Sequence, residues 1–338
     1  MIRIRTQSES GIVEIDTVSK GCWIDARWVN RDDLNRLEKE FGIDTELLTD
    51  IMDTDEQSRI EKEDEYTAII VRLPVFDETE EVAFSTLPLG IILFSDKIVT
   101  ICRRSSDALD GFLKSRMRSF NLKNKSAFVL NLLSRGAFIY LKCLKELNKQ
   151  TNIIKEELQR SIKNNELIQL LSIQKSLVFF TTSIKSNELL LEKLQKSPLM
   201  RFKEDEKELL EDVVIENRQA IEMANIYSSI LTGTMDAFAS VISNNLNIVM
   251  KRLTIVSIVL MIPTLIYSYF GMNLALPFQN LNGIGWGVML VSFASAALGG
   301  ILLNTNGGWR KTKTRTRKNR RVTERKKPVP AAAVQTEP

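Results

Sequence analysis

The sequence predicts an α+β cytoplasmic domain continued by long stalk helices and followed by two C-terminal transmembrane helices. Three observations carry that expectation. Over the first hundred residues, short β-branched apolar runs alternate with turn-forming stretches. From about Ser126 the apolar residues recur at three- and four-residue spacing instead. Between Leu253 and Trp309 there is no Asp, Glu, Lys or Arg at all.

Residues 1–125 make the predicted α/β unit. Its strand-like runs are Gly11–Asp16, Cys22–Ala26, Tyr66–Phe76, Leu89–Phe94 and Ile98–Cys102. Asp32 or Asp33 is placed to cap a helix through Phe41, with Gly42 as its stop, and a short helix is expected over Asp44–Asp53. Residues 126–252 are the predicted stalk. Ser126–Ile162 and Leu167–Lys193 form a helical pair that Pro198 ends. A third helix begins near Lys203, with no proline and only Gly233 as glycine before Ile262. Leu210, Val214, Asn217, Ile221, Ala224, Ser228, Leu231, Met235, Phe238, Ile242, Asn245 and Val249 step along it in fours and threes, a heptad seam. Unbroken to Phe270, it would span roughly 100 Å at ~1.5 Å per residue. The polar members Asn217, Ser228 and Asn245 suit a seam between copies that encloses water.

The uncharged region divides into Leu253–Phe270 and Ile284–Leu303, 18 and 20 residues long, each near the ~20 needed to cross a bilayer core as a helix. The first transmembrane segment is taken as 253–273, the outer loop as 274–283 and the second segment as 284–303. A buried hairpin of a soluble core is the alternative, and 57 uncharged residues are costly to leave in water. Lys251 and Arg252 precede the first span; Arg310 and Lys311 follow the second. The positive-inside rule then puts both ends in the cytoplasm, at the cell membrane, with the loop outside. The MIRIRTQSESG start has no apolar stretch of the signal-peptide kind. The tail, 304–338, holds eleven Lys or Arg from Arg310 onward against Glu324 and Glu337, or +9. The chain is +4 overall, so residues 1–309 carry −5. A basic tail beside a membrane helix fits anionic lipid headgroups, and nucleic acid is not the expected partner.

Composition excludes several kinds of chemistry. The chain has no histidine, so Ser-His and Cys-His nucleophile systems are absent. Its three cysteines, Cys22, Cys102 and Cys143, are scattered without a CxxC pair, and no Gly-Lys dipeptide exists to make a Walker A loop. An enzyme is not indicated. The first span instead carries amide and hydroxyl groups at near-helical spacing, Asn247, Ser257, Thr264 and Ser268, beside Met250, Leu253 and Met261. The second span holds Ser295-xxx-Gly299 and Ala296-xxx-Gly300, patterns that let membrane helices approach closely. Two helices cannot enclose an ion path, so a pore requires several copies.

Where the first span breaks, the chain reads Ile266-Tyr-Ser-Tyr-Phe-Gly-Met-Asn-Leu-Ala-Leu-Pro277. Gly271-Met272-Asn273, preceded by an aromatic residue and followed by a proline-containing loop, resembles the GMN signature of the CorA family of magnesium transporters. Ser243-Asn-Asn-Leu-Asn-Ile-Val-Met-Lys-Arg-Leu-Thr-Ile255, Pro263-Thr264 and the two-span ending are similar to the same family. So are Asp53-x-Asp-Glu-x-Ser-Arg-Ile-Glu61 and Pro88-Leu-Gly-Ile-Ile92, which extends the resemblance over residues 1–308.

The resemblance implies a funnel-shaped homopentamer whose first span lines the pore, with Mg2+ as transported and regulatory ion. It places Asn273 in a ring of neutral oxygens at the outer mouth, shaped by Gly271 and Met272. Thr264, Asn247 and Ser268 become polar positions on the path, and Met261, Leu253 and Met250 apolar constrictions. It also implies regulatory metal sites between neighbouring cytoplasmic domains, with Asp50 and Asp212 at acidic positions. The chain departs from the pattern at Thr49, where some members carry a second acid, and at Asn148–Asn152, which lacks the family's acids. Ser268 stands where glycine is frequent. Because Asp44–Glu65 holds ten acids, the alternative for Asp50 is a solvated surface carboxylate. Two further readings stay open: the same fold carrying Co2+, Ni2+ or Zn2+, or a membrane-anchored coiled-coil scaffold without flux.

Overall fold

The computed structural model describes residues 1–8, 11–114, 122, 124–160, 164–196, 200, 202–272 and 284–306. The chain divides into two compact units, Met1–Ile242 and Ser243–Pro338. The first contains a seven-stranded mixed sheet in the order β2-β1-β3-β7-β6-β5-β4. The strands are β1 (Ile2–Ser8), β2 (Gly11–Ile15), β3 (Trp23–Arg27), β4 (Arg59–Lys62), β5 (Tyr66–Phe76), β6 (Phe84–Phe94) and β7 (Ile98–Cys102). All neighbours pair antiparallel except β3 with β7, where Trp23 faces Ile98 in parallel register.

Both faces of the sheet are covered, which explains why β5, β6 and β7 read as unbroken apolar runs. Ile69, Val71, Leu73, Leu89 and Ile91 point to one face. There they meet α3 (Asp107–Lys114), α4 (Lys125–Arg160), α5 (Asn164–Lys196) and the start of α6 (Glu204–Phe270). Ala68, Ile70, Ile92, Val99 and Ile101 point to the other face, against Leu37 and Phe41 of α1 (Arg31–Phe41) and Leu47, Leu48 and Ile51 of α2 (Thr45–Met52). Gly90 lets α2 come down on β6, since a Cβ there would lie 2.8 Å from Ile51 Cγ1.

The helix ends show how local chemistry sets boundaries. Asn30, not Asp32 or Asp33, caps α1: its side chain accepts from the Asp33 amide, and the Asp33 carboxylate accepts from the Asn30 amide, a capping box. An amide oxygen one residue before the helix satisfies an end donor that an acid inside the first turn does not reach. Gly42 closes the helix in the left-handed conformation at φ 70, as its position predicts. Asp44 caps α2 through the Glu46 amide.

Three elements lie outside the expected set. β1 carries Arg5 into the buried side of the sheet, where Asp25 pairs with it. β4 is a four-residue strand inside the acid-rich stretch. α3 contains Gly111, tolerated because Arg135 lies against it; a Cβ there would fall 2.7 Å from Arg135 Nε. β6 also begins at Phe84 rather than Leu89.

The third long helix is continuous over 67 residues, with Pro263 inside it. Its heptad seam, however, belongs to a different interface from the one expected. Leu210, Val214, Asn217, Ala224, Leu231 and Phe238 are buried, and from Ala220 onward that stripe packs with Tyr140, Leu144, Phe180 and Ile184 of α4 and α5 of the same chain. Asn217 does not face water; its amide donates to the Ile184 carbonyl at 3.1 Å. Periodicity reports that a helix face is covered, not which helix covers it. Asn245 and Val249 remain exposed, and Ile215, Ile226, Ile230 and Val241 form a second, bare face of α6.

Candidate ion path and regulatory acids

Among the described residues, four helices are long and apolar enough to cross a membrane. The most apolar windows of α4 and α5 are 56% and 39% buried in the protein, whereas those of α6 and α7 (Ile284–Asn306) are 0% and 11% buried. The first two spend their apolar residues on a protein core. Leaving the other two bare in water would forgo about 1.5–3 kcal/mol for each large side chain.

In the second unit, α7 meets α6 through its small residues. Ser292 and Ala296 are buried, and Ser295, Gly299 and Gly300 are half-buried. A Cβ on Gly299 would lie 2.8 Å from Ile262 Cδ1, and one on Gly300 would lie 3.5 Å from Val259 Cγ2. The expected small-residue contact is therefore formed. Ser295 turns its hydroxyl back on Val291 and Ser292 carbonyls at 2.7 and 3.1 Å.

The residues of α6 turned inward here are Ile255, Val259, Ile262, Pro263 and Ile266. Asn247, Met250, Leu253, Ser257, Met261, Thr264 and Ser268 are all exposed. At roughly 100° per residue, Met250 through Ser268 cluster on one side of the helix and the inward set lies roughly 120–180° away. Asn247 sits at the edge of the exposed stripe. The sequence-predicted path residues from Met250 to Ser268 thus share the helix face opposite α7.

Hydroxyl chemistry on that stripe is already oriented. Ser257 donates to the Leu253 carbonyl and Thr264 to the Leu260 carbonyl, each at 2.9 Å. With the proton committed to the backbone, each hydroxyl oxygen presents lone pairs outward as an acceptor. Pro263 has no N–H, which leaves the Val259 carbonyl without its usual helical donor.

The helix ends with the Gly271 amide bonded to the Tyr267 carbonyl at 2.9 Å. A Cβ on Gly271 would lie 3.1 Å from that same carbonyl oxygen, so the turn is built closely around glycine. Met261, Thr264, Ser268, Phe270 and Met272 help line a depression of about 720 Å3 at this end. Asn273 and the loop 274–283 lie outside the described residues, as does the tail from 307 onward.

The two candidate regulatory acids lie in the first unit. Asp50, near the end of α2, is about one-third exposed, and its Oδ2 accepts from Arg59 Nη2 at 2.6 Å. Arg59 also holds Glu61 at 2.7 Å and Glu56, so one guanidinium serves three carboxylates. These neighbours hold the Arg59 pKa above its ordinary value despite partial burial. The ion pair to Arg59 was not legible in the sequence. Asp212 is exposed on α6, one turn before Glu216, whose pKa is raised by burial and by the Asp212 charge. No hydrogen bond or ion pair joins Asp50 to Asp212 within the chain, and among the described residues no group of three or more His, Cys, Asp or Glu is poised to hold a metal.

A family model described as CorA-like Mg2+ transporter protein matches residues 19–304. The chain belongs to the CorA family. This CorA-family chain is similar to the cobalt/magnesium transport protein CorA of Methanocaldococcus jannaschii, 26% identical over 272 residues that cover 79% of this chain and 84% of that protein. It is likewise similar to the cobalt/magnesium transport protein CorA of Thermotoga maritima, 21% identical over 289 residues, covering 83% and 80%. The complete structure of the CorA magnesium transporter from Methanocaldococcus jannaschii shares its fold, with a TM-score of 0.76 at 24% identity over 91% of this chain and 98% of that one. The family is one of membrane transporters rather than enzymes.

Proposed function

We propose that this CorA-family chain is a channel-type transporter that takes Mg2+ into the cell. The observation that carries the reading is the stripe on α6 opposite α7, where oriented hydroxyl oxygens alternate with Met250, Leu253 and Met261. Five copies arranged with α7 outward would bring those stripes around a common axis. The exposed Ile215, Ile226, Ile230 and Val241 face of α6, rather than the Leu210–Phe238 seam, is then the surface available to neighbouring copies. Both termini lie in the cytoplasm, and the basic tail meets anionic headgroups at ~1 kcal/mol per cation near the surface.

The chemistry suits a hydrated divalent ion. Mg2+ sheds water reluctantly, so neutral oxygens at Asn273, Thr264 and Asn247 can hold its hydration shell without trapping it. Met261, Leu253 and Met250 close the path by dewetting. The membrane potential supplies ~2.3 kcal/mol per charge per 100 mV, about twice that for a divalent ion. Internal Mg2+ regulates the path by bridging Asp50 of one copy to Asp212 of the next. Bound ion biases the closed state only through its higher affinity for it.

A second cargo is favoured by the names of the relatives, two of which are cobalt/magnesium transport proteins. The test is uptake into liposomes carrying the purified protein, with the potential set by potassium and valinomycin. Potential-dependent Mg2+ entry, with Co2+ as competitor, is expected. Absence of any divalent flux in an intact oligomer favours the scaffold reading.

A further inference from the structure

We propose that Arg59 sets the magnesium concentration at which the cytoplasmic sensor responds, by competing with the ion for Asp50. The proposal rests on the reading of Asp50 as a sensor acid and adds an element internal to each chain. Arg59 opens β4, and Asp50 sits in the last turn of α2, nine residues earlier. The short connection holds the guanidinium against the carboxylate as a tethered ligand at high effective concentration. An arginine stays charged throughout the physiological range, so this competitor is present at every cellular pH.

The geometry defines what the competition is. Nη2 of Arg59 occupies Asp50 Oδ2 at 2.6 Å, while Nε holds Glu61 Oε1 at 2.7 Å and Nη1 holds Glu56. Three carboxylates around one guanidinium leave two net negative charges, a field that draws a divalent cation. Asp50 Oδ1 carries no bond among the described residues and is open to an ion or to its water shell. An ion arriving there meets a fixed positive charge on the other oxygen of the same carboxylate. Mg2+ must therefore displace Arg59 toward Glu56 and Glu61 or bind beside a like charge, and either route raises the concentration required. Glu56 and Glu61 give the displaced guanidinium a place to go, which keeps the exchange reversible. Thr49 acts in the same direction, since it supplies no second carboxylate on that turn.

The test follows Mg2+-dependent protection of the full-length oligomer from limited proteolysis, with Mg2+ itself as the probe, in wild type, Arg59→Gln, Asp50→Asn and the double variant. Arg59→Gln should lower the half-protecting concentration about three- to fivefold, the scale of a partly exposed ion pair. In the Asp50→Asn background the same substitution should change nothing. Arg59→Lys, which keeps the charge without the three-way fork, guards against misfolding of Arg59→Gln and should give a smaller shift in the same direction. An unchanged or raised midpoint in Arg59→Gln, or in Arg59→Lys should only that variant fold, overturns the proposal. So does an equal shift without Asp50, which would report general electrostatics. Wild-type protection in Asp50→Asn overturns the sensor reading itself, and this inference with it.

Discussion

Gly299 of α7 lies so close to Ile262 of α6 that a Cβ would come within 2.8 Å of its Cδ1 atom. That atom is the free end of a flexible side chain, so one methyl group can be accommodated by a small rotation and a branched side chain cannot. Gly299→Ala is expected to leave the oligomer intact, while Gly299→Leu separates α6 from α7 and lowers thermal stability. Size-exclusion chromatography and a melting curve in detergent distinguish the two. Equal behaviour of both variants would mean that this contact does not hold the spans together.

The sheet-to-helix junction at Arg72 is a second sensitive point. Past the Arg59–Ile70 pair, where the β4–β5 ladder stops, the backbone of Arg72 has no β4 residue to meet. Asn187 of α5 accepts from its N–H at 3.0 Å and donates to its carbonyl at 2.9 Å, and Ser58 donates to the same amide oxygen. The Arg72 guanidinium is buried among neutral oxygens of Ser183, Thr86 and the Glu56 carbonyl, and desolvation lowers its pKa. Asn187→Ala should cost about 2–3 kcal/mol, because the buried Arg72 N–H loses its partner while the Arg72 carbonyl keeps only the Tyr140 hydroxyl. A melting temperature lowered by about 5–10 °C in full-length protein is the expected reading.

Hydroxyl groups on opposite helix faces separate transport from packing. Thr264→Val and Ser257→Ala remove acceptors from the stripe turned away from α7 and should each slow Mg2+ uptake about two- to tenfold, the scale of one hydrogen bond. Ser295→Ala removes a half-buried hydroxyl of α7, off the α6 stripe, and should leave uptake unchanged. Equal effects at all three positions would contradict the assignment of faces.

Much of this architecture was legible in particular residues. The 57 uncharged residues marked α7 and the end of α6, and Gly42 and Asp44 fixed the junction of α1 and α2. The stripe from Met250 to Ser268 followed from three- and four-residue spacing, which a helix converts directly into a face. What spacing could not supply was the identity of a partner. The Leu210–Phe238 seam looked like an axis between copies, yet α4 and α5 of the same chain cover it. Arg59 was hidden for a related reason, since β4 is too short and too charged to announce itself as a strand. β1 was obscured because its apolar alternation stops at Ile4, with Thr6 at the next such position, and because Arg5 reads as a surface residue although Asp25 and the Trp23 ring accompany it in the interior. Pro88 concealed the first half of β6, although it falls just past the Leu89–Cys102 pair that ends β7, where no ladder donor is needed.

On the proposed function, the Gly271-Met272-Asn273 segment that follows α6 in the chain admits a hydrated magnesium ion into a path lined by that helix. Magnesium uptake into liposomes by wild type and Asn273→Ala, under an inside-negative potential, tests it most directly. Wild type should show potential-dependent uptake and Asn273→Ala none, with both proteins eluting as the same oligomer. Wild-type uptake by Asn273→Ala in that intact oligomer would contradict it.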